Sequence, residues 1–140
     1  MLAQRFGSEY QTDEKFINEF LEIVKKYPGS CDEVWLASEY GFSKLEKHRD
    51  TAEKLCGVAE RLRSDGLRVS LQISNTIGHG QYMASKDCSG LIYEGSPVEH
   101  MIGPDGNAAG YCFCWNGKHF QNYTVSMLKE YAKTNLIQCC

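Results

Sequence analysis

No stretch of this 140-residue chain approaches the roughly 20 apolar residues of a membrane span. Its first residues, MLAQRFGSEY, lack the apolar run of a secretory signal. An intracellular, cytoplasmic protein is therefore expected. Positive charge is not in excess: 15 lysines and arginines stand against 18 acids, for a net charge of -3. A mildly acidic chain without a basic run is a poor match for nucleic acid or an anionic membrane, so neither is expected as a partner. No P-loop, G-x-S-x-G or H-E-x-x-H occurs. The G-x-G of Gly78-His79-Gly80 does not extend to a dinucleotide fingerprint. No cofactor is implied.

Cysteine, by contrast, is abundant. There are seven, an odd number with no CxxC, so complete internal pairing is impossible and a reducing compartment is expected. Cys112 and Cys114 would share one face of a strand. A metal or thiol-redox site is the functional alternative, but zinc sites show wider paired spacings. A His79/His100/Cys88 set matches no metal pattern either. The cysteines are read as small buried hydrophobes and no metal site is assigned.

Met1 to Phe6 is short and apolar enough for a strand. Thr12 is the expected N-cap of a helix with Asp13 and Glu14 in its first turn. Phe16, Ile17, Phe20, Leu21, Val24 and Tyr27 follow at helical spacing, and Pro28-Gly29 stops the run. Glu33 to Ser38 is a short buried strand. Ser43 and Glu46 form a capping box ahead of a second stripe at Ala52, Leu55, Cys56, Ala59 and Leu62. Gly66 is its C′ residue, and Leu67 to Ser74 is the next strand. This alternation with short connections predicts parallel strands joined by helical crossovers. The segment 75–110 breaks the rhythm: it holds seven of the 13 glycines and two of the three prolines. It is expected to be an irregular insertion on the functional face, with a hairpin around Pro104-Asp105-Gly106 joining Val98–Ile102 to Tyr111–Trp115. Asn116 is the expected N-cap of a third helix with Phe120, Tyr123, Met127, Leu128 and Tyr131 as its stripe. Leu136 to Cys140 begins another strand.

Ligands of parallel α/β folds gather at the carboxyl ends of the strands. Glu39 and Tyr40 follow the second strand, Asn75 and His79 the third, and Trp115 and Asn116 the Tyr111–Cys114 segment. Carboxylates and carboxamides hydrogen-bond hydroxyls, and aromatic faces stack on the C–H faces of sugar rings. The set suits a neutral polyhydroxylated ligand. His79 could donate to a substrate oxygen or move a proton. The competing assignments are a solvated surface acid for Glu39, a loop-satisfied His79 and a core aromatic for Trp115. His48 and His119 lie on helices and are expected at the surface; His100 falls in the hairpin.

The segments DEVWLASEYGF, LRVSLQISNTIGHG and CSGLIYEGSPVEHMIGPDGNAAGYCFCWNGKHFQNY resemble the amino-terminal half of uncharacterised bacterial TIM-barrel proteins of the glycoside hydrolase superfamily. The most specific pieces are NTIGHG (Asn75 to Gly80) and CWN (Cys114 to Asn116). The resemblance implies half of a (β/α)8 barrel, about four parallel strands and three helices in one truncated domain over residues 1–140. It places Glu39, Asn75, His79 and Asn116 around a sugar pocket, with a carbohydrate as ligand.

The chain ends where the fourth strand would reach its acidic end, and no pair of catalytic carboxyls about 5 to 10 Å apart is visible. The expectation is a glycoside hydrolase-like carbohydrate-active domain, catalytically incomplete by itself. The alternative is a noncatalytic α/β ligand-binding or interaction module. Strands EVWLAS and LRVSLQIS, taken as apolar on both faces, further predict self-association to cover an open half-barrel.

Overall fold

A computed structural model describes residues 1–39, 42–73, 99–134 and 136. Their order is β1 (Ala3–Arg5), α1 (Glu14–Lys26), β2 (Glu33–Ala37), α2 (Leu45–Ser64), β3 (Arg68–Gln72), β4 (His100–Ile102), β5 (Ala108–Phe113) and α3 (Lys118–Ala132). Strands β1, β2 and β3 form a parallel sheet in that order, with Val34 opposite Val69 and Leu36 opposite Leu71. The parallel α/β arrangement is therefore as expected, in a three-stranded sheet. The fourth strand, at Leu136 to Cys140, lies outside the described residues apart from Leu136, which is buried in a bend.

Side-chain alternation explains the sheet's orientation. Val34 and Leu36 point one way into the core, and Trp35 between them is 40% exposed. The core joins these two residues to Phe6, to Ile17 and Leu21 of α1, to Leu55, Ala59 and Leu62 of α2, and to Phe120, Tyr123, Met127 and Tyr131 of α3. The Phe6 ring meets Phe16 and Phe20 edge-on, with centroids 5.0 and 4.9 Å away. Each such contact is worth about 0.5 to 1.5 kcal/mol beyond its buried area. Strand β3 is not apolar on both faces: Arg68 and Ser70 are exposed. The expectation of two apolar sheet faces is corrected, because the period of two sends only Val69 and Leu71 of β3 toward the helices.

Helix ends depart from the sequence expectations in informative ways. Asp13, not Thr12, caps α1, its carboxylate accepting from the Lys15 and Phe16 amides at 2.9 and 3.2 Å. The Ser43–Glu46 capping box does not form: Lys44 is the N-cap of α2, and no side chain bonds there. Ser43 is buried, and its carbonyl accepts from the Tyr123 hydroxyl at 2.7 Å. Gly117, not Asn116, precedes α3, and the cap comes from elsewhere in the chain. The Glu99 carboxylate accepts from the Lys118 amide at 3.2 Å. A Cβ at Gly117 would stand 2.7 Å from Glu99 Oε2 and 2.9 Å from the Cys114 carbonyl, so only glycine fits. The end of α2 is as expected. Gly66 has φ 84°, its amide bonds Arg63 O at 2.9 Å, and the Leu67 amide bonds Leu62 O at 3.1 Å, a Schellman closure.

The expected hairpin is present as antiparallel β4 and β5. In its turn the Gly103 amide bonds Asn107 O at 2.8 Å, and Asp105 accepts from the Asn107 amide at 3.1 Å. His100 lies in β4 and is half-buried. Two members of the predicted stripes are exposed instead of packed, Tyr27 at 55% and Leu128 at 38%. Cys31, Cys56 and Cys114 carry free thiols and are half-buried, not fully enclosed as the hydrophobe reading required. No described helix is long and apolar enough to cross a membrane.

Candidate functional site

A cleft of about 230 Å³ opens at the carboxyl ends of β1 and β2. Ser8, Gln11 and Thr12 line it from the turn after β1, Ser38 and Glu39 from the end of β2, and Thr51, Lys54 and Leu55 from α2. This is where a parallel α/β sheet presents its loops to a ligand. Gln11 is buried and holds the end of β2 in place of a strand residue. Its Nε2 donates to Ala37 O at 3.1 Å, and its Oε1 accepts from the Ala37 amide at 2.8 Å. On the opposite edge the Ser38 amide donates to Gln72 O at 2.9 Å.

Glu39 is fixed at both its backbone and its side chain. Its amide donates to the Tyr131 hydroxyl at 2.8 Å, and its carboxylate accepts from the Thr51 hydroxyl at 2.9 Å. Behind it lies a buried relay. His48 is 0% exposed. Its Nδ1 is 3.0 Å from the Tyr131 hydroxyl and its Nε2 is 2.8 Å from that of Tyr123. The Tyr123 proton goes to Ser43 O, a pure acceptor, so the Tyr123 oxygen accepts from His48 Nε2–H. In the neutral ring Nδ1 then accepts from Tyr131. Burial lowers the His48 pKa from 6.5 to about 4, against an opposing pull from Glu39. Burial likewise pushes the Tyr131 hydroxyl up to about 12. Both groups are neutral at pH 7, and the relay orients Glu39 without carrying charge.

The expected surface position of His48 is thus corrected. Its position was visible in the sequence: His48 precedes Ala52 by four and Leu55 by seven, which is the buried stripe of α2. Of the predicted site residues, Glu39 lines the cleft. Tyr40, Asn75 and His79 lie outside the described residues, as does Cys88 of the discarded metal set. Trp115 is 54% exposed and not a core aromatic. It lines a different, apolar groove on α3 with Phe120, Gln121, Thr124 and Val125, which shares no residue with the Glu39 cleft. Asn116 is exposed beside it. Ser8, Gln11, Thr12, Ser38, Thr51 and Lys54 were not expected in the cleft. Single polar side chains in turns, at a strand end or on the polar face of a helix carry no periodic signal of a site, and only the fold brings them together.

The cleft is chemically mixed: one carboxylate, one ammonium, one carboxamide and four hydroxyls. Such a lining can both donate to and accept from a ligand rich in hydroxyl groups. Among its described residues Glu39 is the sole carboxylate, and among the described residues of the chain no three His, Cys, Asp or Glu side chains converge as metal ligands would. No protein-family model, no curated protein and no solved structure matches the chain.

Proposed function

We propose that this chain is a ligand-binding α/β domain that takes a small polyhydroxylated molecule of the carbohydrate class into the Glu39 cleft. The observation that carries the reading is the double fixation of Glu39 at a strand end. Its amide is held by Tyr131 and its carboxylate by Thr51, in a cleft also lined by Ser8, Thr12 and Ser38. Pre-ordered acceptors lose little freedom when a ligand arrives.

The glycoside hydrolase reading draws support from the sequence resemblance and from the consecutive parallel order of β1, β2 and β3. Both retaining and inverting hydrolysis use a pair of carboxyls, and among the described residues the cleft presents one, Glu39. The binding reading therefore stands first, with hydrolysis as the rival outcome of the test.

Backbone amide shifts followed during titration with a panel of neutral monosaccharides test the proposal. Saturable shifts at Ser38, Glu39 and Thr51, weakened roughly tenfold by Glu39→Gln, are expected, that loss being about the worth of one charged hydrogen bond. No release of phenol from aryl glycosides is expected. Shifts absent from the cleft amides for every sugar would overturn the reading, and Glu39-dependent hydrolysis would move the assignment to a hydrolase.

A further inference from the structure

The buried hydroxyls behind Glu39 reach further than its amide. The Tyr131 oxygen meets three groups: it lies 2.8 Å from the Glu39 amide and 3.0 Å from His48 Nδ1, and it bonds the Ser38 side chain. Ser38 is itself buried, lines the Glu39 cleft and has the Glu39 carbonyl 3.0 Å from its Oγ. A continuous path of hydrogen-bonding atoms therefore runs from the cleft through Ser38 and Tyr131 to an imidazole that solvent does not touch. The far end is closed, because Tyr123 gives its proton to Ser43 O and accepts from His48 Nε2–H. The groups facing His48 are these two tyrosines from α3 and, past β2, the Glu39 carboxylate, the one charged group that acts on it among the described residues.

We propose that Ser38, Tyr131 and His48 are a proton relay with two fully paired states, which carries a proton from the cleft to His48 and reverses its own hydrogen bonds in doing so. In the neutral state Tyr131 gives its proton to Nδ1, and its oxygen accepts from the Glu39 amide and from Ser38. A hydroxyl oxygen has two lone pairs, so it is then full. Acid adds one proton. A hydronium in the cleft protonates Ser38 Oγ and leaves as water, the former Ser38 proton moves to Tyr131, and the former Tyr131 proton moves to Nδ1. Each bond broken is matched by one formed, and the charge ends on the imidazolium. Tyr131 now accepts from Nδ1–H and from the Glu39 amide and donates to Ser38, and Ser38 gives its own proton to the Glu39 carbonyl. Every donor and acceptor keeps a partner with the heavy atoms where they stand, a condition that a lone buried imidazolium does not meet. The Glu39 carboxylate favours the added charge while burial opposes it, which sets the exchange in the acid range. Ser38 meanwhile loses one open lone pair toward the cleft, so the cleft registers the state of a histidine it does not touch. This goes beyond what the cleft binds and does not rest on it.

The full chain, isotope-labelled in its imidazoles and backbone amides, is titrated by NMR from neutral pH to about pH 3. It has four histidines, and His48→Gln identifies the His48 signals. The Nε2–H tautomer is expected at neutral pH, followed by gain of a proton at Nδ1 while the protein stays folded. The Ser38 and Glu39 amides should shift with the same midpoint as the imidazole. The titration is repeated in Glu39→Gln, which removes that carboxylate's own protonation from the amides at positions 38 and 39. Ser38→Ala takes away the acceptor that the Tyr131 proton needs in the acid state. It should lower the His48 midpoint by about one pH unit, the worth of one buried donor left unpaired. A merely structural loss would lower stability and leave that midpoint in place. An unchanged midpoint in Ser38→Ala overturns the proposal. So does an imidazole that takes its proton only as the whole spectrum collapses to that of the unfolded chain, or one that titrates in the folded protein while the Ser38 and Glu39 amides stay still. If Ser38→Ala fails to fold, the parent and Glu39→Gln titrations decide by these same amides. No ligand enters the experiment, so its failure leaves the cleft reading standing.

Discussion

His48 Nδ1 and the Tyr131 hydroxyl, 3.0 Å apart in the core, join α2 to α3 and through Tyr131 to the backbone of Glu39. The hydroxyl accepts from the Glu39 amide, gives a proton to His48 Nδ1 and also bonds the Ser38 side chain. Its removal therefore takes a partner from the Glu39 amide and from His48 Nδ1. Tyr131→Phe should cost about 2 to 3 kcal/mol in urea unfolding, most of it the price of unmade bonds. It should also weaken ligand binding in the cleft by releasing Glu39. An unfolding midpoint equal to that of the parent would show that the hydroxyl holds nothing.

The same histidine sets an acid limit on stability. Its folded pKa, about 4, lies below the ordinary value of 6.5. Above about pH 6.5 the ring is neutral in both states and its full contribution is present. As pH falls toward 4 the unfolded chain takes up the proton first, so stability falls, and below about 4 the loss levels off. The total is on the order of 3 kcal/mol. His48→Gln should be less stable at neutral pH yet lose the slope between those values. Urea midpoints measured across the range decide it, and a slope that survives the substitution would assign the effect elsewhere.

Glu130 titrates in a lower window. Its buried carboxylate accepts from Arg49 at 2.9 Å and Lys133 at 2.8 Å, and these bonds lower its pKa from 4.5 to about 2. A depressed carboxylate stabilises above its unfolded value, and that stability is lost as pH falls through the folded one. Glu130→Gln should flatten the stability profile between about pH 4.5 and 2 and leave the His48 slope untouched. If both variants change the same window, the two groups are coupled and the separation fails.

Gln11 makes the two bonds to Ala37 that a neighbouring strand residue would otherwise make. Gln11→Ala leaves a buried amide and carbonyl unmade, at a cost of about 2 to 4 kcal/mol. Gln11→Glu restores the acceptor but has no donor for Ala37 O when ionised, and should recover only part of the loss. Faster amide exchange at Ala37 in Gln11→Ala, largely restored in Gln11→Glu because the carboxylate keeps the acceptor for the Ala37 amide, is the matching local signal. Exchange unchanged at Ala37 would mean the backbone finds another partner.

Period and punctuation in the sequence determined the α/β class, the parallel strands, the hairpin turn and the end of α2 at Gly66. Each depends on residues within one or two turns of one another, where spacing and a glycine's freedom suffice. Glu39 was legible for the same reason, as the first charged residue past a strand. The sources of the helix caps were not. Glu99 reaches the start of α3 from β4, and Ser43 gives its carbonyl to Tyr123 instead of capping α2. Local motif rules cannot weigh a partner that lies far along the chain. The composition of the cleft and the burial of His48 between two tyrosines were likewise decided by tertiary structure. A polar group enters a core only if specific partners meet it there, and those partners are assembled when α2 and α3 pack. Trp35 shows the division within one residue: alternation dictates that it opposes Val34 and Leu36, but only the placement of the helices on that other face leaves its ring open.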